Sequence, residues 1–180
     1  MTAYFSVGLA VALALLGAAA LGGLKMRPAN KSAAAGFCRN RTLGMVLTAA
    51  ALALCVPQAA PIAWDWLAAL LWPLVVVFTV LCWRYLDLLT ARAIAGLLIL
   101  GAYYFVNFAF FLHVSCAVTT LAALGFGVAG IAISAKPYLM RDWLEKCAVS
   151  RRVRRWSVLL IAAGFAVCLW TLIALWVKND

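Results

Sequence analysis

The segment WDWLAALLWPLVVVFTVLCW, Trp64–Trp83, contains a single charged side chain, Asp65, close to its start. A helix of this length rises about 30 Å at 1.5 Å per residue, which matches the thickness of the hydrocarbon core of a bilayer. Its apolar run is continuous and does not alternate with polar residues, a pattern typical of a transmembrane helix and not of a barrel strand. The segment therefore predicts a helix that crosses a membrane.

The same pattern recurs along the whole chain. Of its 180 residues, 68% are hydrophobic and 11% are charged, whereas soluble domains carry about 25% charged residues. The mean hydropathy is +1.08. Because backbone polar groups in lipid must be hydrogen-bonded within the protein, such spans are helices. We predict an all-α integral membrane protein with a single membrane domain over residues 1–180. It is a six-transmembrane-helix bundle with spans at residues 3–24, 43–60, 64–83, 93–112, 115–135 and 156–177.

The distribution of Lys and Arg predicts the orientation. The segments after the first, third and fifth spans hold 14 of the 15 basic residues, and only Lys178 falls on the other side. Short cytoplasmic loops retain positive charge, so we expect both termini on the non-cytoplasmic side of a bacterial-type inner membrane. Because Lys25 and Arg27 follow the first apolar run and no basic stretch precedes it, we interpret that run as a retained span and not a signal peptide.

The basic segment after the fifth span has a pattern of its own. Over residues 137–149, apolar side chains recur at helical spacing (Leu139, Met140, Trp143, Leu144 and Cys147), and charged side chains lie on the opposite face (Arg141, Asp142, Glu145 and Lys146). This predicts a short amphipathic helix on the cytoplasmic membrane surface, or alternatively a helix that docks a partner. The run that follows it should contact anionic lipid headgroups, and it consists of Arg151, Arg152, Arg154 and Arg155. Topology and lipid contact account for the charge, and no aromatic stacking platform accompanies it, so we expect no nucleic-acid partner.

Small residues at four-residue spacing predict close helix packing. They occur as Ala10, Ala14, Ala18 and Gly22 in the first span, and as Gly125/Ala129 and Gly130/Ser134 in the fifth. Such faces let helix backbones approach in lipid, within one chain or between chains. Pro73 should kink the third span and free a carbonyl that a neighbour must satisfy.

Polar side chains near the outer ends of the spans form the first candidate site. Asp65 and His113, the only histidine, are expected at the same depth, and Asn107 falls in the outer half of the fourth span. A carboxylate beside the histidine would raise its pKa and make a pH-sensitive or solute-contacting site. The alternatives are purely structural roles: an interhelical hydrogen bond for Asn107 and a turn position for His113.

The second candidate is a thiol pair. Cys55 and Cys116 both fall near outer span ends, where a disulfide or redox pair would form if the second and fifth spans touch. The spacing of cysteines matches no zinc or thioredoxin motif, and one histidine cannot supply the two axial ligands of a transmembrane haem. We therefore expect no metal and no cofactor.

Two classes of function remain. The first is a non-catalytic subunit or scaffold of a membrane complex, which self-associates or binds other membrane subunits through its small-residue faces. The alternative is a permease or channel component for a small neutral or apolar solute. An enzyme is less favoured, because the sequence contains no set of residues that could together act as a general base, a nucleophile or the ligands of a metal ion.

Overall fold

The computed structural model describes residues 31–112 and 116–179, with some side chains of these ranges excepted, and this part of the chain is helical without a strand. The prediction of an all-α fold is confirmed there. The predicted span at residues 3–24, its small-residue stripe and His113 lie outside the described residues. The helices are α1 (Lys31–Arg39), α2 (Arg41–Ala59), α3 (Asp65–Tyr85), α4 (Leu89–Leu112), α5 (Cys116–Ala135), α6 (Tyr138–Val149) and α7 (Arg151–Asn179).

Three segments are long and apolar enough to cross a bilayer: Arg41–Ala59, Asp65–Tyr85 and Leu89–Asn107. A fourth candidate is the pair Thr120–Ala135 and Tyr138–Val149, bent by 109° at a short break, if the pair counts as one span. The chain thus has three to four candidate membrane-spanning helices among the described residues. The count of six spans stays a prediction.

Helix α4 lies at the centre of the described bundle, packed against α5 on one side and α2 on the other. Gly130 of α5 faces α4 so closely that a Cβ there would lie 2.9 Å from the carbonyl oxygen of Ala95 and 2.8 Å from Cγ1 of Ile99. The sequence predicted a small-residue contact at this position, and the partner is α4 of the same chain. A glycine is needed there because a backbone oxygen cannot move aside.

Helices α2 and α4 are joined at two levels. At their first residues, a Cβ on Gly44 would lie 2.9 Å from the backbone nitrogen of Thr90. Further along, the Tyr104 hydroxyl donates a 3.0 Å hydrogen bond to the carbonyl of Leu54. Pro57 interrupts the backbone ladder of α2 in the following turn, so Tyr104 stabilises α2 where its own bonding is weakened.

Helix α1 and the start of α2 are set by local signals. Asn40 separates the two helices, and its side-chain oxygen accepts hydrogen bonds from the N–H groups of Thr42 and Leu43, which caps α2. The Ala-rich segment before Asn40 favours helix, and α1 packs against α6. The segment has too few apolar residues to suggest a span, so the sequence pattern alone does not predict α1.

The helix directions bring the described basic residues of the connections to one end of the bundle. We call this the basic end; it holds the starts of α2 and α4, the ends of α3 and α5, and all of α6. Its cations include Arg41, Arg84, Arg92, Lys136 and Arg141. Asp87 lies beyond the last residue of α3, so it does not share a helix face with Arg84.

Candidate functional sites

The predicted polar site is described only in part. Asp65 is exposed in the first turn of α3. Asn107 is half-buried in α4, and its side-chain NH₂ donates a 3.2 Å hydrogen bond to the carbonyl of Tyr103 one turn earlier. This bond lies within a single helix, so it is not the interhelical hydrogen bond that a purely structural role for Asn107 would require. The proximity of Asp65 to His113 stays a prediction.

A second polar group, at nearly the same depth as Asn107, is the side-chain amide of Gln58 in α2. The side-chain nitrogen of Gln58 is buried and has no hydrogen-bond partner among the described residues. Helices α2 and α4 run in the same direction, and the bond between Tyr104 and Leu54 fixes their register. Gln58 and Asn107 lie four and three residues beyond that bond, about 6 and 4.5 Å along their axes. The two amides are therefore at nearly the same depth.

The predicted thiol pair also stays a prediction. Cys55 is half-buried in α2, and Cys116 begins α5, where its side chain is outside the described part. Helix α4 packs against both α2 and α5. The principal contacts of α5 are with α4 and not with α2, the helix that carries Cys55.

The four arginines predicted to contact lipid lie in the first five residues of α7. Arg151, Arg152 and Arg155 are exposed, and Arg154 is half-buried. No acidic residue occupies this first turn, so the cations lie at the positive end of the helix dipole, which disfavours them without an anion. Anionic headgroups outside the protein would relieve that repulsion.

A small apolar cluster joins the elements of the basic end. Cys38 of α1, Ala91 of α4, and Met140 and Leu144 of α6 are buried together. Beside them, the Thr90 hydroxyl, itself 0% exposed, donates a 2.7 Å hydrogen bond to the carbonyl of Asn40. Part of the face of α6 predicted to be apolar is thus buried against this chain, which fixes α6 to α1 and α4.

The cysteines of the basic end are packing residues in this arrangement. Burial raises the pKa of the Cys38 thiol above its ordinary value, and the nearby Arg141 guanidinium lowers it in part. Cys147 is 3% exposed, with its sulfur 3.4 Å from the hydroxyl oxygen of Ser157 in α7. Both thiols are thus buried inside the protein.

Among the three long apolar helices of the described part, α3 is the least buried. Only Thr79 is buried among its 21 residues, and the helix packs chiefly against α2. Ala69, Trp72, Pro73, Val76 and Val80 recur at spacings of three and four, share one side of the helix and are all exposed. We call these five residues the Trp72 face. Trp72 forms the edge of this face nearest to the buried Thr79, which lies seven residues later, and the other four residues lie further around the helix from Thr79.

Buried polar side chains elsewhere in the described ranges are bonded within the chain. The hydroxyls of Thr48 and Thr79 each donate a 2.7 Å hydrogen bond to the carbonyl one turn earlier. No group of three or more His, Cys, Asp or Glu side chains that could hold a metal ion occurs among the residues searched. These features describe a helix-packing architecture. Comparisons with protein-family models, with curated protein sequences and with solved structures found no match.

Proposed function

We propose that the protein is a non-catalytic subunit or scaffold of a membrane complex. The observation that carries this proposal is the exposure of α3. A helix that crosses a membrane inside a self-sufficient bundle buries one side against several neighbours, whereas α3 buries Thr79 alone. Partner helices would cover the remaining surface, which includes Val76 and Val77 at 64% and 53% exposure.

The setting that goes with this proposal is a bacterial-type inner membrane, with the basic end in the cytoplasm and both termini on the opposite side. Helix α6 would lie along the membrane surface, with Leu139 and Trp143, 40% and 39% exposed, towards the leaflet. The arginines that begin α7 would then meet anionic lipid headgroups.

The test is isolation of the tagged full-length chain in a mild detergent after crosslinking in the membrane, followed by mass spectrometry of what co-purifies. We expect a stable complex that Val76→Trp weakens and Val77→Trp leaves intact. The two substitutions have the same chemistry and lie about 100° apart around α3. A monomer that carries only lipid would contradict the proposal.

The orientation is tested separately with introduced thiols, because the native Cys38 and Cys147 are buried. Ser32→Cys places an exposed thiol at the basic end, and Ile62→Cys places one at the opposite end, where Ile62 is 88% exposed. An impermeant reagent added to intact cells should label Ile62→Cys alone. Labelling of Ser32→Cys without permeabilisation would show that the basic end faces outwards and would contradict the proposed orientation.

A permease or channel component is the second candidate, and the unpartnered nitrogen of Gln58 favours it. A buried donor without a partner costs free energy, which a hydrogen-bonding solute near Asn107 would recover. Gln58→Leu and Asn107→Leu should then each slow solute uptake into proteoliposomes. Uptake that neither substitution changes would remove this candidate.

A further inference from the structure

The Trp72 face carries polar groups that a lipid surface does not satisfy. Helix α3 is about 31 Å long, and Trp72 lies about 5 Å from its middle. Tryptophan is ordinarily enriched at the membrane boundary, where its indole N–H reaches polar groups. The Trp72 side chain is 61% exposed and has no hydrogen-bond partner among the described residues. At this depth lipid tails offer its N–H no acceptor.

The same face also carries an acceptor. Pro73 has no N–H, so it cannot donate the hydrogen bond that the carbonyl of Ala69 would ordinarily accept from residue 73. Ala69 is exposed and has the smallest side chain of the face, so the backbone of another helix can approach closely at this position. A donor and an acceptor thus lie one turn apart on one exposed surface.

The positions of this donor and this acceptor along the helix axis match when two identical helices pack side by side. Side chains on a helix tilt towards its N-terminus, so the indole of Trp72 extends towards the level of Ala69. Two copies inserted in one membrane have the same orientation, and a two-fold axis along the membrane normal makes their contacts reciprocal. Each Trp72 can then donate to the Ala69 carbonyl of the other copy.

We propose that the Trp72 face binds a second copy of this chain, with Trp72 of each copy donating its indole hydrogen bond to the carbonyl that Pro73 leaves free in the other. This inference rests on the proposed function and specifies one interface of the complex. Val76 and Val80, exposed at 64% and 50%, continue the same side of the helix and supply its apolar contact. The face is self-complementary in donors and acceptors, which singles out a second copy from other occupants.

The first experiment is thiol crosslinking in native membranes. Val76→Cys should give a crosslinked product of twice the monomer mass, and Val77→Cys should give no more than the unaltered chain, which already contains Cys82 on α3. Equal yields from the two variants, or no dimer from Val76→Cys, would overturn the inference. If residues 1–30 of the same chain covered the Trp72 face instead, Val76→Cys would give no crosslinked dimer.

The second experiment tests the hydrogen bond. Trp72→Phe keeps an aromatic ring without the N–H, and Pro73→Ala gives the Ala69 carbonyl a donor within its own helix. Each substitution should raise the dissociation constant of the dimer in detergent about eightfold. The reason is that a two-fold symmetric dimer loses the bond twice, at the strength usual for hydrogen bonds between helices in membranes. Trp66→Phe, at a tryptophan of similar exposure near the helix end, should leave dimerisation unchanged.

The double variant separates this bond from general packing. If Trp72 and Pro73 act through the same hydrogen bond, Trp72→Phe combined with Pro73→Ala should weaken dimerisation no more than either change alone. Losses that multiply would overturn the hydrogen-bond assignment. A chain that co-purifies with a different protein but does not crosslink at Val76→Cys would contradict this inference and still support the proposed function. A monomer without any protein partner would contradict both.

Discussion

Substitution of Gly130 by alanine should destabilise the contact between α4 and α5, and Gly125 of the same helix provides the matched control. A Cβ on Gly130 would lie 2.9 Å from the Ala95 oxygen and 2.8 Å from Cγ1 of Ile99, whereas a Cβ on Gly125 would meet nothing within 4 Å. Ordinary contact begins near 3.4 Å. The two helices would therefore have to separate by roughly half an ångström to accept the methyl group at Gly130.

The magnitude follows from a comparison of the two variants. Overpacking of a close contact costs about 1–3 kcal/mol. Alanine is a better helix former than glycine by about 1 kcal/mol, and this gain is common to both substitutions. The free energy of unfolding should therefore be about 1–3 kcal/mol lower for Gly130→Ala than for Gly125→Ala.

The assay is reversible unfolding in mixed micelles, followed by tryptophan fluorescence as the denaturing detergent fraction is increased. Both variants must first show the helix content of the unaltered chain at zero denaturant. Free energies of unfolding that agree within about 0.5 kcal/mol would refute the close approach of α5 to α4.

Three further predictions concern single side chains. Thr90→Val removes the hydrogen bond to Asn40 and should lower the free energy of unfolding by about 1 kcal/mol; no change in the same titration would mean that α1 is not held to α4 by this bond. Tyr104→Phe removes the bond between α4 and α2 and should cost about 0.6–1 kcal/mol, with an unchanged unfolding midpoint as the contrary result. Cys38 should react slowly with maleimide at pH 8 and faster as the pH rises towards its raised pKa, because less thiolate is present than in an ordinary thiol. Labelling at pH 8 as fast as that of the exposed thiol in Ser32→Cys would contradict its burial.

The amino-acid pattern was sufficient for the helical class and for the approximate bounds of the described apolar helices. Continuous apolar runs with charge at their ends leave little choice of architecture, and α3 at Asp65–Tyr85 lies close to the predicted span at residues 64–83. The close packing of Gly130 also followed from the spacing of small residues, whereas Gly125 and Ala129, which have the same spacing, are exposed in the described part of the chain. The partner of Gly130 did not follow, because spacing alone cannot distinguish a contact within the chain from one between chains.

Features that depend on tertiary contacts could not be read in this way. Helix α1 lies in a segment with too few apolar residues to suggest a span, and the cap residue Asn40 that follows it marks the start of α2 and not of α1. The burial of Cys147 depends on the sulfur contact with Ser157, ten residues later in the chain. Gln58 falls near the end of the predicted span at residues 43–60, and the sequence alone does not show that its side-chain nitrogen is buried without a partner among the described residues.

The exposed side of α3 is the feature from which the function is proposed, so its contact with lipid in native membranes is the most direct test. Spin labels at Val76→Cys and Val77→Cys would report oxygen accessibility in membrane vesicles, each measured against the unaltered chain. In the isolated chain the two positions are similarly exposed, at 64% and 53%. If a partner covers the Trp72 face, the label at position 76 will be markedly less accessible than the label at position 77. Equal accessibility, or greater accessibility at position 76, would contradict the assignment of α3 as an interface helix.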